Sequence, residues 1–167
     1  TGGSAATTLV RAVVIDAGAS LSSITNSGRI AATAAVDGSA VAIFDNSGTL
    51  SLVVNSGAIS ATSANTGVNK AIAVDLAANG SGATVRQTLV AANAAAPTIT
   101  GNILFGAGND VLDIADGSMN GATRFGAGNN RFALAGDATY GGDVTFGSGN
   151  DIVTLAGTTA LTGNVDF

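Results

Sequence analysis

The chain has 167 residues, of which 46% are hydrophobic and 10% are charged, and its formal net charge is −5. This length suits one domain, the acidic balance disfavours nucleic acid and anionic membranes as partners, and no apolar run approaches the roughly 20 residues needed to cross a bilayer. The absence of Cys excludes disulfides and thiolate chemistry. The 24 Gly, the single Pro and the use of Asp as the only acidic residue type favour many short strands joined by tight turns.

Residues 1–97 repeat with a period of about 29 residues. Asp16, Asp45 and Asp75 each close an apolar run, at spacings of 29 and 30. The tripeptide Asn-Ser-Gly at 26–28 recurs at 55–57, and a similar apolar stretch follows both copies. We interpret this half as coils of a β-solenoid that carry longer excursions.

Residues 98–167 repeat with a shorter period of roughly 20 residues. The block Phe-Gly-Ala-Gly-Asn-Asp at 105–110 returns at 125–130 and at 146–151 with one substitution each, at spacings of 20 and 21, and Phe167 begins a further copy. Such self-similarity indicates a solenoid, in which each coil buries its apolar face only by stacking on the next. The chain is therefore predicted to be all-β, one continuous parallel β-helix of about six to eight coils with strands ~4.8 Å apart.

The aligned copies predict columns of identical side chains along the solenoid. The Phe residues should form an inward ladder, and the Asn residues should form a ladder of amides hydrogen-bonded from coil to coil. Two Gly columns, the first at 106, 126 and 147 and the second at 108, 128 and 149, mark corners where we expect positive φ. The predicted structural ladders are Phe105, Phe125, Phe146 and Phe167; Asn109, Asn129 and Asn150; and Gly106, Gly126 and Gly147.

The segment 106–112, Gly-Ala-Gly-Asn-Asp-Val-Leu, resembles the calcium-binding nonapeptide repeat of RTX proteins. The resemblance implies a hard cation held by carboxylates and turn carbonyls, with Asp110, Asp113 and Asp151 as candidate ligands. Phe stands where the RTX motif begins with Gly, and the copies recur at spacings of 20 and 21 instead of nine. The alternative is that Asp110 and Asp151 are turn residues bonded to backbone N–H groups, with Asn130 between them relieving charge repulsion. No other cofactor is expected.

No constellation of catalytic residues is visible, and we predict that the chain is not an enzyme. It lacks His, Glu and Trp and has one Lys. A polysaccharide-active β-helix enzyme is the least favoured alternative, since a glycosidase needs two carboxylates about 5 to 9.5 Å apart across a cleft. Asp113 with Asp116, and Asp137 with Asp143, are the nearest candidates, but the short C-terminal coils leave almost no loops to build a cleft.

The Asn-Ser-Gly segments at 26–33 and 55–62, together with the Phe-Gly-x-Gly-Asn-Asp coils, resemble the passenger region of Gram-negative autotransporters, the type V secretion class. The resemblance covers the chain from about residue 11 to its end. It implies a right-handed parallel β-helix that leaves the cell through a C-terminal β-barrel and is displayed as a stalk, often for adhesion.

We therefore expect a non-enzymatic structural protein, a segment of a surface-displayed stalk or adhesin, extracellular or on the surface of a Gram-negative bacterium. Phe167 opens a new coil and no polar cap follows it, so the alternative is a self-assembling extracellular fibre subunit that polymerises by end-to-end coil stacking. The expected partners are other copies of the chain, by stacking or lateral contact, and a protein or glycan on a host or neighbouring cell. No nucleic acid partner and no membrane insertion are expected.

Overall fold

The computed structural model describes residues 8–35 and 37–167, so residues 1–7 and 36 of the first predicted segment lie outside the described residues. The described residues contain strands and turns and no helix. In chain order the strands are β1 (Leu9–Ile15), β2 (Ser23–Asn26), β3 (Arg29–Ala34), β4 (Ser39–Asp45), β5 (Leu52–Asn55), β6 (Ala58–Ser63), β7 (Ala71–Leu76), β8 (Thr84–Gln87), β9 (Thr98–Thr100), β10 (Asn102–Phe105), β11 (Val111–Ile114), β12 (Ser118–Asn120), β13 (Thr123–Arg124), β14 (Arg131–Leu134), β15 (Thr139–Gly141), β16 (Val144–Thr145), β17 (Ile152–Leu155), β18 (Ala160–Thr162) and β19 (Val165–Asp166).

The strands form three parallel sheets, and every third strand of the chain joins the same sheet. Sheet 1 has the order β1-β4-β7-β10-β13-β16-β19, sheet 2 has β2-β5-β8-β11-β14-β17, and sheet 3 has β3-β6-β9-β12-β15-β18. We call three successive strands, one from each sheet, a rung. The prediction of an all-β chain with parallel strands stacked in register is confirmed. A chain that visits three sheets in rotation encloses its core along a single axis.

The strand register shows where the repeat period changes. Asn26 lies opposite Asn55, an offset of 29, whereas Leu112 lies opposite Phe132, an offset of 20. The largest offset joins Ala58 to Thr98, because the excursion 88–97 lies outside the strands.

The recurring Asp residues of the first half do not lie opposite one another. In sheet 1, Asp45 pairs with Ile15, and Asp75 pairs with Phe44. Each of these two Asp residues therefore lies opposite the residue that comes directly before the Asp of the preceding rung. The spacings of Asp16, Asp45 and Asp75, 29 and 30, are therefore each one residue shorter than the offsets between paired residues of β1, β4 and β7, which are 30 and 31.

The core is built from inward columns that run the length of the solenoid. In sheet 2 one column is Ile24, Val53, Val85, Leu112, Phe132 and Val153. In sheet 3 the matching column is Ile30, Ile59, Ile99, Met119, Tyr140 and Leu161. The middle members of both columns are fully buried, and each such side chain stabilises the fold by about 1.5 to 3 kcal/mol. The two columns contact each other in the core, where the rings of Phe132 and Tyr140 pack edge to face with their centroids 4.9 Å apart.

Candidate functional site

The Phe column lies at the corner between sheets 1 and 2 and is a stack of parallel rings. Ring centroids are 4.9 Å apart between Phe105 and Phe125, 4.8 Å between Phe125 and Phe146, and 5.0 Å between Phe146 and Phe167. The first three rings are buried, whereas Phe167 is 72% exposed. The repeated block therefore places its aromatic residue in the core, where three of the four rings are unavailable to a ligand.

The two Gly columns of this corner have different physical roles. Gly108, Gly128 and Gly149 have φ of 99°, 134° and 150°, as expected for corners. The expectation of positive φ is wrong for the first column, Gly106, Gly126 and Gly147, none of which has it. There, Gly is required by space, because a Cβ on Gly126 would collide with the carbonyl oxygen of Gly106, and a Cβ on Gly147 with that of Gly126.

The Asn column is exposed, and its hydrogen bonds join side chain to backbone. The N–H of Asn129 donates to Oδ1 of Asn109, and the N–H of Asn150 donates to Oδ1 of Asn129, both at 2.9 Å. The amides of Asn109 and Asn129 thus hydrogen-bond to the next rung, and the donor in each case is a backbone N–H and not the neighbouring amide. The side chains of Asn109 and Asn129 each satisfy a backbone donor of the next rung at a corner, where strand pairing is interrupted.

The next residue of each copy belongs to a second polar column, Asp110, Asn130 and Asp151, of which the first two are buried. The N–H of Ala83 donates to Oδ1 of Asp110 at 2.7 Å, and the N–H of Asp110 donates to Oδ1 of Asn130 at 3.0 Å. The N–H of Asn130 in turn donates to Oδ1 of Asp151 at 2.8 Å. Burial raises the pKa of Asp110 to about 6, partly offset by the hydrogen bond from the Ala83 N–H.

The three calcium candidates do not converge on one site. Asp110 points inward, whereas Asp113 lies on the outer face of β11, where its Oδ2 is 3.2 Å from Nε of Arg86. Asp151 is separated from Asp110 by the Asn130 rung. Across residues 8–35 and 37–167 no group of three or more acidic side chains is arranged to hold a metal ion.

A buried amide ladder at the corner between sheets 2 and 3 was not foreseen. Nδ2 of Asn26 donates to Oδ1 of Asn55 at 2.8 Å, and Nδ2 of Asn55 donates to Oε1 of Gln87 at 3.2 Å. At the end of the ladder, Nε2 of Gln87 donates to the carbonyl oxygen of Asp116 at 2.7 Å. All three amide side chains are buried. The Asn-Ser-Gly repeat marked the first two positions, but Gln87 lies at a different offset from Asn55, 32 instead of 29, and shares no tripeptide with them.

The same ladder also closes its turns. Oδ1 of Asn26 accepts from the N–H of Gly28, and Oδ1 of Asn55 accepts from the N–H of Gly57, at 3.2 and 3.3 Å. In the following rungs the column continues as Ile114, Leu134 and Leu155. The polar ladder thus coincides with the rungs of longer period, and an apolar ladder replaces it in the rungs of shorter period.

A buried carboxylate closes the corner that follows β4. Asp45 accepts hydrogen bonds from the N–H of Ser47, the N–H of Gly48 and the N–H of Leu50, and from the Ser47 hydroxyl. Three donors engage Oδ1 and one engages Oδ2, so this side chain acts as a turn residue.

Two surface grooves lie beside inter-strand segments, 64–70 between β6 and β7 and 88–97 between β8 and β9. One cavity of about 340 Å³ is lined by the excursion 88–97 together with Asp116 and Asp137. Another, of about 430 Å³, is lined by residues 63–71 with Gly101 and Asn102. In the first groove Oδ2 of Asp116 accepts from the N–H of Val90 at 3.0 Å, so one of its two carboxylates is already engaged by the backbone. Of the four carboxylates considered for hydrolysis, Asp116 and Asp137 line this groove, whereas Asp113 lies on the outer face and pairs with Arg86.

The chain matches no protein-family model, no curated protein and no solved structure. Among the described residues there is no helix long and apolar enough to span a membrane.

Proposed function

We propose that this chain is a non-enzymatic segment of a surface-displayed β-solenoid stalk or adhesin, of the kind found in the passenger regions of type V autotransporters. The observation that carries the proposal is the continuity of the side-chain ladders, which join every rung of the described residues to the next. Sequential stacking extends the molecule along one axis, which is the geometry that a stalk needs to hold a binding surface away from the cell.

The chemistry of the polar side chains supports a structural role. The amides of Asn26, Asn55 and Gln87 are consumed by hydrogen bonds to one another and to the backbone. Asp45 and Asp116 are bonded to backbone N–H groups. Side chains committed in this way hold turns together and are not free to bind or transform a substrate.

The proposal includes two finer features. The helix is right-handed, as the resemblance implies, and it has about six to eight coils. At the spacing of paired strands such a rod is roughly 30 to 40 Å long. The segment then acts as a rigid spacer of this length, and its side faces make the contacts with partners.

Surface display is tested on cells that produce the whole protein to which the segment belongs. Antibodies raised against residues 8–167 should label intact cells, and external protease should remove the label. Labelling seen only after the cells are lysed would refute surface display.

The stalk role is tested by shortening the segment by one repeat. Deleting residues 105–124 removes β11, β12 and β13, which are one rung, and joins Leu104 to Phe125, so that one Phe-Gly-Ala-Gly-Asn block remains. The pairing of β10 with β7 is kept, and β16, which pairs with β13 in the unaltered chain, should take the place of β13 beside β10. We expect export to persist and the distance of a distal epitope from the membrane to fall by about one strand spacing, ~4.8 Å; removing several repeats should weaken adhesion. A matched control replaces Phe125 by Asp, which keeps the length but breaks the buried stack. Adhesion that is unaffected by removal of the whole segment would contradict the proposal, and concentration-dependent filaments of the purified chain would favour the fibre subunit instead.

A further inference from the structure

Two neighbouring turns of the Phe-Gly-x-Gly corner are nearly identical and differ at one decisive atom. Residues 105–109 and 125–129 have the same sequence, and the next residue is Asp110 in one turn and Asn130 in the other. Both side chains are buried in the same column, at 0% and 1% exposure. In both side chains, Oδ1 accepts a hydrogen bond from a backbone N–H of the preceding rung, that of Ala83 for Asp110 and that of Asp110 for Asn130. The two turns therefore form a natural comparison between a carboxyl group and an amide in the same position.

The second atom of the amide group holds the Asn130 turn closed. Nδ2 of Asn130 donates to the carbonyl oxygens of Gly126 and Gly128, both at 3.2 Å, and to Oδ1 of Asp151 at 2.9 Å. In the Asp110 turn the equivalent atom is Oδ2, which is buried and has no hydrogen-bond partner. By the equivalence of the two turns, Oδ2 faces the carbonyl oxygens of Gly106 and Gly108. An ionised carboxylate only accepts hydrogen bonds, so three acceptors would meet with no proton among them.

We propose that Asp110 is a neutral carboxylic acid in the folded rung, that its Oδ2–H donates to a carbonyl oxygen of its own turn, and that the turn loosens when this proton leaves for solvent. The protonated acid reproduces what the amide of Asn130 does one rung away. The rung is then closed in acid and weakened at higher pH, which makes this corner a pH-sensitive lock. The inference concerns the folded rung alone and does not depend on the proposed surface role.

No charged group offsets an ionised Asp110 among the described residues packed against it. On the packed strands, Arg86 of β8 and Asp113 of β11 pair with each other on the outer face, and Arg131 of β14 is exposed. Asp151, in the same column, lies beyond Asn130. Burial accordingly raises the pKa of Asp110 to about 6, from an ordinary value of 3.8.

The sign of the pH effect follows from this direction. Between pH 3.8 and about 6 the folded chain holds a proton on Asp110 that the unfolded chain has released. Stability from this group is therefore complete below the unfolded value and is lost as the pH rises through the folded value. Burial also raises the pKa of Asp75, so the effect of Asp110 must be measured as a difference between variants.

The test is a pair of reciprocal substitutions, Asp110→Asn and Asn130→Asp, melted across pH 4 to 8 beside the unaltered chain. At pH 8, Asp110→Asn should melt roughly 5 to 10 °C higher than the unaltered chain, and the difference should close towards pH 4. Asn130→Asp should add a second pH dependence of the same sign. Asp113→Asn, which alters a partly exposed carboxylate three residues further along the chain, on the outer face of β11, serves as the control and should show neither effect. A melting difference between Asp110→Asn and the unaltered chain that is the same at every pH, or of opposite sign, would overturn the proposal.

A direct measurement covers the case in which Asn130→Asp fails to fold. The ¹³C resonance of the Asp110 carboxyl carbon should report a protonated group at pH 5 in the unaltered chain, and an ionised group at that pH would overturn the proposal. The melts at pH 8 are repeated with a chelator and with calcium. A calcium-dependent rise in melting temperature that is lost in Asp110→Asn would mean that Oδ2 binds a cation and not a proton, and would also overturn it. Indifference to calcium is the expected result.

Discussion

Replacing Phe125 by Ala tests whether the ring stack holds the C-terminal rungs together. The ring is 2% exposed and lies between two parallel rings, 4.9 Å from Phe105 and 4.8 Å from Phe146. Removing a buried Phe side chain costs about 3 to 5 kcal/mol of stability. An aromatic pair contributes about 0.5 to 1.5 kcal/mol beyond the effect of its buried area. Against a total stability of about 5 to 15 kcal/mol, the substitution should remove a large fraction of the free energy of unfolding.

The assay is equilibrium unfolding in urea followed by circular dichroism, with Phe167→Ala as the matched control. Phe167 belongs to the same column but is 72% exposed and stacks on one ring only, so its loss should cost about 1 kcal/mol or less. We expect the midpoint to fall far more for Phe125→Ala than for Phe167→Ala. Equal effects of the two substitutions would refute the view that the stack is part of the core.

Three further predictions concern two kinds of corner residue and the Arg86–Asp113 ion pair. Asn55→Ala should lower the free energy of unfolding by about 2 to 4 kcal/mol, because it leaves buried amide and carbonyl partners unpaired. Asn109→Ala, in the exposed Asn column, should lower it less, and thermal melts that reverse this order would contradict the assignment. Gly126→Ala should abolish soluble folded protein or lower its melting temperature sharply, because its Cβ meets backbone, while Gly28→Ala, whose Cβ meets nothing within 4 Å, should be tolerated. Asp113→Asn should change stability by less than about 1 kcal/mol, since exposed ion pairs contribute little; a larger loss in chemical denaturation would show that this carboxylate does more than pair with Arg86.

The register of the C-terminal rungs could be predicted residue by residue. Near-identical blocks at regular spacing require equivalent positions to stack, and Phe105, Phe125 and Phe146 do so. Leu112 and Phe132 each follow the Phe of their copy by seven residues, and they too lie opposite each other. In these rungs the turns are short and alike, so sequence spacing equals structural spacing.

The first half could not be predicted in the same way. Asn26 pairs with Asn55 at an offset of 29, whereas Ala58 pairs with Thr98, which lies much further along the chain. The offsets differ because excursions of different length are inserted at different corners. Local spacing then no longer reports which residues lie opposite each other. Gln87 joins the amide ladder through the register of β8 alone.

The sequence by itself determined the class of the fold, since Gly-rich turns and repeated apolar strands can bury their apolar faces only by stacking. Only the tertiary structure decided the direction in which each corner side chain points. Asn109 and Asp110 are adjacent, yet the first is exposed and the second is fully buried. The physical reason is that the backbone angles of the turn and the packing of the neighbouring rungs set this direction, and neither is encoded in the spacing of the repeat. The same packing leaves Oδ2 of Asp110 without a partner, and so produces the most chemically distinctive group in the described chain.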